Sequence, residues 1–556
     1  MTEPSNSNRS STGLSSPYRF RSLVVGSLAA LLISSHIHAN VFFVTNLFDS
    51  GTGSLRDAIT EAEQSSGFDQ ISFQVGGTLN FGSALPTITS DITISSNGFG
   101  VTFDGTSAGD RAFVQTSGTF SLLDFTIQNF TASGSGGAIF VGGGDLNIYN
   151  SSFIGNSGLT GGAVRLGGGG TGTIDNSIFS GNNSLQGGAL NTTGGSNLNI
   201  NSSQFTNNTA TISGNPAGGI GGALSLSGGV VNITDSNISN NTGERSGAGI
   251  RINGATVNIS NSTINENEAQ TTDEDGGGLI IFGGAEVTIT DSEINQNTSQ
   301  GNAGGIQSQD GSIVIVERST VSGNEAASDG GGIRSDDSEL TVRQSTVSGN
   351  VASEGSGGGI IAVRDGNVLV ENSTISGNTT DEGGGGILIA EGVSAVITNS
   401  TIAFNETGSR DGSGVRFGDD GTNTLEIENS IVSDNTQNGA PDSVNGPVTS
   451  NGFNLFDDDG GGIVASASGD QFNAFAGLEP LAENGGPTPT HALSSLSDAI
   501  DAGSTPQPTD QRGFLRPAGT QADIGAFEFG AVPEPSSSTF IFGILSIFYT
   551  ARRRRR

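Results

Sequence analysis

Acidic residues that precede a repeated glycine motif are the residues of this chain best suited to bind a cation. They lie one to three residues ahead of successive Gly-x-Gly-apolar units, at Asp275, Asp329, Glu354, Glu382 and Asp411. Carboxylate oxygens are hard ligands of the kind that Ca²⁺ prefers. Stacked carboxylates repel one another unless cations or arginines lie between them. The pattern therefore makes Ca²⁺ the one cofactor to consider for this chain.

Arginines form a second row beside the acidic residues. Arg165, Arg251, Arg334 and Arg416 each directly follow the apolar residue of their glycine unit. Three interpretations stay open: a solvated, charge-patterned face that limits aggregation, which the sequence favours, Ca²⁺ binding, and a sugar-binding groove of an enzyme. A polysaccharide lyase or hydrolase needs carboxylates in defined roles. Since the chain has no lysine, its base would be an arginine or a carboxylate, and we assign no catalytic residue.

His491 is the one histidine expected in the mature chain, and Asp498 and Asp501 follow it closely. A Ser/His/Asp site of the hydrolase type would be accompanied by a Gly-x-Ser-x-Gly elbow, and none accompanies His491 in its stretch "TPTHALSSLSDAIDAG". We therefore expect His491 to have a structural role.

A repeated heptad of the form x-Ser-x-apolar-x-x-Asn indicates which elements position these rows. One copy, "NSTISGN", ends at Asn378, and a looser copy, "LDFTIQN", ends at Asn129. A period between 20 and 50 residues is typical of repeat architectures, and the alternating apolar residues between the copies have the spacing of strands. The closing asparagines are Asn156, Asn182, Asn208, Asn241, Asn267, Asn297, Asn324, Asn350, Asn378, Asn405 and Asn435.

These patterns predict an all-β fold, a right-handed parallel β-helix (solenoid) with an N-terminal cap and a small C-terminal domain. About 27 residues in three short strands would make one coil, and coils would stack at about 4.8 Å. The apolar residue of each heptad, such as Phe153 or Ile375, should point inward. We expect the closing asparagine to lie at a turn, where it adopts or stabilises left-handed backbone geometry, and to stack with its equivalents as an amide ladder.

The predicted domains follow from where the repeat begins and ends. Residues 40–68 form a capping segment, residues 69–445 the β-helix repeats, and residues 446–531 a C-terminal region. Within the cap, Ser54 and Asp57 have the spacing of a helix capping box. The apolar face of that helix would be Leu55, Ala58, Ile59 and Ala62.

Both ends of the chain have the pattern of sorting signals. Residues 1–39 combine a positive flank, a short apolar run and a small residue, which indicates a secretory signal. Residues 532–556 begin with Val532, Pro533, Glu534 and Pro535, continue into an apolar run and end in five arginines. Such a basic end should stay cytoplasmic and give transient membrane anchoring.

Composition excludes several classes of function. The chain has 90 glycines, no cysteine and a formal charge of −34 in 556 residues. Disulfide and thiolate chemistry are therefore excluded. A polyanion of this size should repel nucleic acid, so we expect no nucleic-acid partner.

Several motifs resemble known families. The glycine units together with Phe-x-x-Asn segments, as in Gly161–Val164 and Phe179–Asn182, resemble the repeats of polymorphic outer-membrane proteins, which are right-handed β-helix adhesins. "TDQRGFLRPAG" and "ADIGAFEF" resemble the choice-of-anchor region of exported β-helix proteins. The last 25 residues resemble PEP-CTERM sorting signals, which implies processing by an exosortase-type enzyme in a Gram-negative bacterium.

We therefore expect an exported protein of the outer surface or extracellular matrix, acting in adhesion or as a structural element through a rigid, acidic, repetitive face. Extracellular polysaccharide is the expected partner, bound through many weak contacts. The alternatives are a carbohydrate-active β-helix enzyme and a mechanical spacer without a ligand.

Overall fold

The computed structural model describes residues 39–532, apart from 213, 216, 273–275, 419–421 and 460–461. All of them belong to one compact unit that starts at Ala39. Within this part the chain winds into a parallel β-helix, because strands of equivalent sequence in successive coils pair in register. The predicted signal segment lies outside the described residues except for Ala39, as does the sorting motif except for Val532.

Three sheets run along the rod. The long sheet has 28 strands: Asn40–Val44, Asp69–Phe73, Ile92–Ser95, Phe113–Gln115, Thr119–Leu123, Ile139–Val141, Asp145–Tyr149, Val164–Leu166, Thr171–Asp175, Leu190–Thr192, Asn197–Asn201, Leu224–Ser227, Val230–Thr234, Ile250–Asn253, Thr256–Ser260, Leu279–Phe282, Glu286–Thr290, Ile306–Ser308, Ile313–Glu317, Ile333–Arg343, Ile360–Glu371, Ile387–Ile389, Ser394–Thr398, Val415–Phe417, Thr424–Glu428, Val444–Asn445, Val448–Gly452 and Ile463–Ala465.

The other two sheets contain shorter strands. The heptad sheet has 15 strands: Gly77–Asn80, Val101–Asp104, Phe125–Gln128, Ser152–Ile154, Ile178–Ser180, Gln204–Thr206, Asn237–Ser239, Thr263–Asn265, Glu293–Asn295, Thr320–Ser322, Thr346–Ser348, Thr374–Ser376, Thr401–Ala403, Ile431–Ser433 and Leu455–Phe456. The short sheet has 11 strands: Asn183–Ser184, Thr209–Ala210, Thr242–Gly243, Glu268–Ala269, Thr298–Ser299, Glu325–Ala326, Val351–Ala352, Thr379–Thr380, Glu406–Thr407, Thr436–Gln437 and Ala440–Pro441.

Each coil contributes one strand to the heptad sheet, so the described rod has fifteen coils and is about 70 Å long at a spacing of about 4.8 Å. The prediction of a parallel β-helix is confirmed. A typical coil has four strands rather than three, because its long-sheet segment bends into two, as in Val164–Leu166 and Thr171–Asp175.

Apolar residues of the heptads form a continuous column inside the rod. Phe153 pairs with Phe179 and Phe179 with Phe205 in the strand register, and all three are fully buried. Their rings stack with centroids 4.8 and 4.7 Å apart and almost parallel planes. Such stacks add to the hydrophobic stabilisation of the core.

The heptad contains two corners. In each coil the residue before the serine and the residue before the closing asparagine have positive φ, as at Asn372 (47°) and Gly377 (65°). Of the two roles expected for the closing asparagine, it does not adopt the left-handed geometry itself. Its side chain has to point inward, and the residue before it makes the bend. In the looser copy Asn129 makes the bend (φ 60°) and Phe130 occupies the inward position.

The closing asparagines form a buried ladder along the rod. Asn350 shows the pattern: its Oδ1 accepts from the N–H and Nδ2 of Asn324, and its Nδ2 donates to Asn378 Oδ1 and to the carbonyl of Val321, at 2.9 to 3.0 Å. Asn350 is fully buried. Every hydrogen-bonding group of the amide is therefore satisfied, which is the condition for burying it without loss.

The serines of the heptads form a second ladder, which sequence reasoning missed. Ser345 Oγ accepts from the N–H of Ser319 at 3.1 Å and donates to the carbonyl of Arg343 at 2.8 Å. The invariable position of serine within the heptad was the signal for this role, because only a short side chain can bond its own backbone two residues back.

The N-terminal cap contains the one α-helix of the described residues, Leu55–Ala62. Ser54 caps it, with Asp57 N donating to Ser54 Oγ at 3.3 Å and Asp57 Oδ2 accepting from Gly53 N at 3.0 Å. The helix buries the face expected from the sequence, Leu55, Ala58, Ile59 and Ala62. The helix contacts Asn40–Val44 and Asp69–Phe73, the first two strands stacked at this end of the long sheet, and so covers the apolar interior there.

The coils continue past residue 445, where the sequence placed their end. Val448–Gly452 pairs with Thr424–Glu428, and Leu455–Phe456 pairs with Ile431–Ser433, both in parallel. The sequence boundary was set by the last heptad, whereas the strands of the final coil lack that motif.

The remaining residues, 466–532, are called the C-terminal region below, and they fold back along the heptad sheet. Gln511 Nε2 donates to the carbonyl of Ser345 at 3.1 Å, and Thr374 Oγ1 donates to Gln511 Oε1 at 2.6 Å. In the coil after that of Thr374, the N–H of Ala526 donates to Thr401 Oγ1 at 3.1 Å. A small apolar core seals this contact: Ile431, Leu455, Ala476, Leu493, Ala499, Ile524 and Phe527.

Candidate functional site

The predicted acidic residues lie on the arms that connect the short sheet to the glycine corners. The arms of four successive coils carry Asp329, Glu354, Glu382 and Asp411, and backbone hydrogen bonds such as Glu354 N to Ala327 O (3.0 Å) hold the arms together. Asp275, with its neighbours Asp273 and Glu274, lies outside the described residues. The four described carboxyl groups therefore share one side of the rod.

Neighbouring groups already occupy several of these carboxylates. Asp329 Oδ1 accepts from the N–H of Ser356 at 2.9 Å, and Glu382 Oε2 lies 3.3 Å from Ser356 Oγ and 3.9 Å from Arg410 Nε. Glu354 and Asp411 are exposed. Among the residues that the structure describes, no three His, Cys, Asp or Glu side chains converge as a metal site would require. Binding of Ca²⁺ at this row stays a prediction.

Further carboxylates extend the row across the short sheet. We call the acidic wall the set that consists of Glu325, Asp329, Glu354, Asp381, Glu382, Glu406 and Asp411. Glu325, Asp381 and Glu406 are exposed. Arg410 Nε lies 3.9 Å from Glu382 Oε2, and the guanidinium of Arg416 lies against Gly383, the residue after Glu382. The wall therefore presents a net negative charge that repeats with the coil spacing of about 4.8 Å.

The arginine row lies on the outward face of the first long-sheet strand of each coil, in one column with the other residues at that position. In the strand register Gln307 pairs with Ile280 and Arg334, and Arg334 pairs with Ile361. We call this the outer column: Phe140, Arg165, Asn191, Ser225, Arg251, Ile280, Gln307, Arg334, Ile361, Leu388 and Arg416. The column therefore mixes cations with apolar and neutral polar residues, and Arg165 lies 5.0 Å from the ring centre of Phe140.

A buried carboxylate beside the outer column was missed by sequence reasoning. Asp336 is almost completely buried and is held by Arg334, at 3.0 Å, and by Arg364 of the next coil. The hydrogen bond to Asp336 raises the pKa of Arg364. A bulge between Asp336 and Ser338 shifts the register and allows this contact, so no sequence spacing could have revealed it. Two guanidinium groups therefore pair with this one buried carboxylate.

Gln307 is fully buried, and neither atom of its side-chain amide has a hydrogen-bond partner. Apolar residues occupy the same column at Ile280, Ile361 and Leu388. Since a desolvated, unsatisfied amide costs about 1 to 3 kcal/mol, replacement by an apolar side chain of similar size should be stabilising.

We predict that Gln307→Leu raises the free energy of unfolding by about 1 kcal/mol, measured by guanidinium chloride unfolding. The exposed Gln204 serves as the matched control, and Gln204→Leu should leave stability nearly unchanged. A loss of stability in Gln307→Leu would mean that ordered water satisfies the native amide.

His491 joins the C-terminal region to the heptad sheet. Its Nε2 lies 2.7 Å from Ser376 Oγ and its Nδ1 lies 2.7 Å from the carbonyl oxygen of Glu479. Asp498 instead accepts from the N–H of Phe475, and Asp501 accepts from backbone N–H groups at positions 520 and 521. The structure therefore does not bring either aspartate to His491, and the ring helps dock the C-terminal region.

Asp523 makes the C-terminal region sensitive to pH. Burial, the largest effect, and the nearby Glu528 raise its pKa from 3.8 to about 6, against hydrogen bonds from the N–H groups of Asp501 and Phe529. A carboxyl with a raised pKa in the folded state stabilises the fold below its unfolded pKa, and this contribution is lost as the pH rises through about 6.

We predict that Asp523→Asn removes this loss, because asparagine stays uncharged at every pH. The melting temperature of Asp523→Asn minus that of the wild type should become more positive between pH 4 and pH 7, as measured by circular dichroism. Burial lowers the pKa of His491, which acts in the opposite direction in both proteins and cancels in the difference. A difference that does not change with pH would contradict the prediction.

The fold and the outward rows define a class of protein, a parallel β-helix that carries charged columns on its outer surface. Residues 112–292, 209–353 and 294–470 match the family described as "Right handed beta helix region". Since these segments cover more than half of the chain, the protein belongs to this family, and the right-handed prediction is confirmed. None of the curated proteins matches this chain in sequence.

Three solved structures are similar to the chain at 13% identity. The periplasmic alginate epimerase AlgG has a TM-score of 0.35 and the match covers 69% of this chain and 82% of that one. PfbA, a surface adhesin of Streptococcus pneumoniae, has a TM-score of 0.35 with 82% and 100% covered. Pectate lyase Pel9A has a TM-score of 0.26 with 89% and 97% covered. No helix in the described ranges has both the length and the apolar character that a membrane span needs.

Proposed function

We propose that this protein is an exported adhesion or structural protein that holds extracellular polysaccharide against the acidic wall through many weak contacts. The observation that carries the proposal is the wall itself, seven carboxylates on four successive coils with two arginines, Arg410 and Arg416, beside them. Each contact would be weak, but a long polymer meets many of them at once, and linked contacts multiply in avidity. Ca²⁺ would bridge the wall to acidic polymers, whereas neutral polymers would bind without it.

Rigidity of the rod supports this mechanism. The buried asparagine and serine ladders hold successive coils in register. The carboxylates of the wall therefore have fixed spacings before a polymer binds. A surface organised before binding loses less entropy on association.

The test is a screen of neutral and acidic polysaccharides for binding and for turnover, with and without Ca²⁺. The triple variant Glu354→Gln, Glu382→Gln and Asp411→Asn should lower the affinity for acidic polymers in Ca²⁺ at least tenfold. The control variant Glu286→Gln and Glu293→Gln changes exposed carboxylates elsewhere on the rod and should bind like the wild type. Equal binding by both variants would overturn the proposal.

The screen also separates adhesion from catalysis. Cleavage of a polysaccharide that is abolished by Asp329→Asn or Glu382→Gln would identify a carbohydrate-active β-helix enzyme. Absence of any bound polymer would favour a mechanical spacer.

Export and surface attachment form the second half of the proposal. The signal-like residues 1–39 and the sorting motif that begins at Val532 support secretion, processing by an exosortase-type enzyme, and a final location on the outer surface or in the matrix of a Gram-negative bacterium. Fractionation of native cells with mass spectrometry of the mature termini tests this. We expect cleavage near Ala39 and near Pro533; an intact chain in the cytoplasm would overturn it.

A further inference from the structure

A pocket of about 650 Å³ lies between the heptad sheet and the C-terminal region. Its volume falls in the range of small-molecule sites in proteins. One side is formed by Ser348 and Ser376 of the heptad sheet together with His491, and the apolar walls are formed by Phe404, Leu478, Pro480 and Leu481. The acidic wall plays no part in it.

The polar side of the pocket carries no charge. A carbonyl oxygen accepts and cannot donate, so the contact of His491 Nδ1 with Glu479 O at 2.7 Å places the ring proton on Nδ1. Nε2 therefore accepts from the hydroxyl of Ser376, 2.7 Å away. Burial lowers the pKa of His491, which keeps the ring neutral at pH 7. The lone pairs of Ser376 Oγ remain to accept from a ligand hydroxyl, and the hydroxyl of Ser348 remains to donate to a ligand oxygen.

Phe404 is an unusual residue for its position. Its backbone has φ 58°, a left-handed conformation that is unfavourable for a bulky side chain. The same corner in other coils carries glycine or a polar residue: Gly155, Gly181, Asn207, Asn240, Glu266, Gln296, Gly323, Gly349, Gly377 and Asp434.

Burial does not compensate for this strain, since the side chain of Phe404 remains 41% exposed. Its ring stands 5.0 Å from the ring of His491, at an interplanar angle of 47°. A strained residue that leaves an aromatic face open to a pocket is typical of a ligand site.

We propose that this pocket binds an uncharged alkyl compound that ends in an alcohol or ester group, with its chain against Phe404 and Leu481. An alcohol would donate to Ser376 Oγ and accept from Ser348, whereas an ester would only accept from Ser348. The absence of ionised side chains among the described lining residues argues against anions, because a carboxylate would lose its hydration without gaining a partner. Asp434, which is close enough to His491 to affect its protonation, adds a negative field.

Calorimetric titration of the full mature protein with 1-octanol, methyl octanoate and sodium octanoate tests the proposal. The three probes share one chain length and differ in the oxygen group. We expect octanol and methyl octanoate to bind, and octanoate to bind at least tenfold more weakly. Octanoate that binds as tightly as octanol, or no binding by any probe, would overturn the proposal.

Two variants locate the site. Leu481→Arg introduces a cation into the lining and should reverse the preference, so that octanoate binds more tightly than octanol. Phe404→Asn restores a residue type used at this corner in other coils; it should weaken octanol binding at least tenfold while leaving the melting temperature unchanged or higher. Octanol binding that neither variant alters would place the ligand elsewhere. Because the acidic wall is unchanged in both variants, polysaccharide binding should remain as in the wild type.

Discussion

Replacement of Asn350 by alanine is expected to lower the free energy of unfolding by about 4 kcal/mol. The substitution removes four hydrogen bonds of 2.9 to 3.0 Å inside a fully buried ladder. The N–H of Asn324 and one hydrogen of its side-chain amide lose their acceptor, and the carbonyl of Val321 loses a donor. Buried groups without partners cost about 1 to 3 kcal/mol each, so the effect exceeds that of an ordinary hydrogen bond.

The matched control for this prediction is Asn258→Ala. Asn258 Nδ2 donates to Asn232 Oδ1 at 2.9 Å, so the same amide chemistry links successive coils, but on the exposed surface. Water can replace that bond, and we expect a change below about 0.5 kcal/mol. Guanidinium chloride unfolding provides the comparison, with hydrogen exchange in the coils around residue 350 to detect local opening. Equal effects of the two substitutions would mean that burial of the ladder contributes nothing.

Replacement of Gly162 by alanine is expected to cost about 3 kcal/mol or more. An added Cβ would lie 2.1 Å from the carbonyl oxygen of Gly188 and 2.6 Å from that of Asn183, both in the next coil. These are backbone atoms held by hydrogen bonds between coils, including Asn183 N to Asn156 O at 2.9 Å. The strain can be relieved only by separating the coils, because no flexible side chain is available to move.

The variant Gly195→Ala is the control that distinguishes this steric effect from backbone strain. Its φ is 71°, and an added Cβ would meet nothing within 4 Å. Gly195→Ala should therefore cost about 1 kcal/mol, the penalty of left-handed geometry alone. Thermal unfolding followed by circular dichroism distinguishes the two variants. If Gly162→Ala were no more destabilising than Gly195→Ala, close approach of the coils at the glycine corner would not be the reason for the glycine.

Local patterns of the sequence predicted much of the rod. The heptad period identified equivalent residues in successive coils, and the inward direction of Phe153, Phe179 and Phe205 followed from their position in it. The capping helix was equally accessible, since Ser54 and Asp57 act within a few residues of one another. These predictions succeeded because they depend on interactions that repeat or that are close along the chain.

The geometry of the corners was harder to predict. Alignment by the closing asparagine located each corner, but it left open which residue has the left-handed conformation. It also aligned Asn129, which makes the bend itself, with asparagines whose side chains point inward. Which of two adjacent residues bends depends on which side chain has to point inward. That choice is made by the register of the neighbouring coils, which a single repeat does not contain.

For the candidate sites, too, the sequence predicted what repeats along the chain and missed the contacts that occur once. The sequence placed the acidic residues and Arg334 in rows, because residues one period apart must lie above one another. It could not reveal the contact of Asp336 with Arg364, which depends on a bulge, or the contact of His491 with Ser376, which are 115 residues apart.

By itself, then, the sequence determined the repeating fold, the inward columns and the net negative charge, since each is a sum over many equivalent short-range contacts. Tertiary structure alone decided how the C-terminal region folds back on the heptad sheet. The same docking forms the uncharged pocket beside Phe404. Docking of this kind depends on side chains that occur once, and no period in the chain marks which surface they will meet.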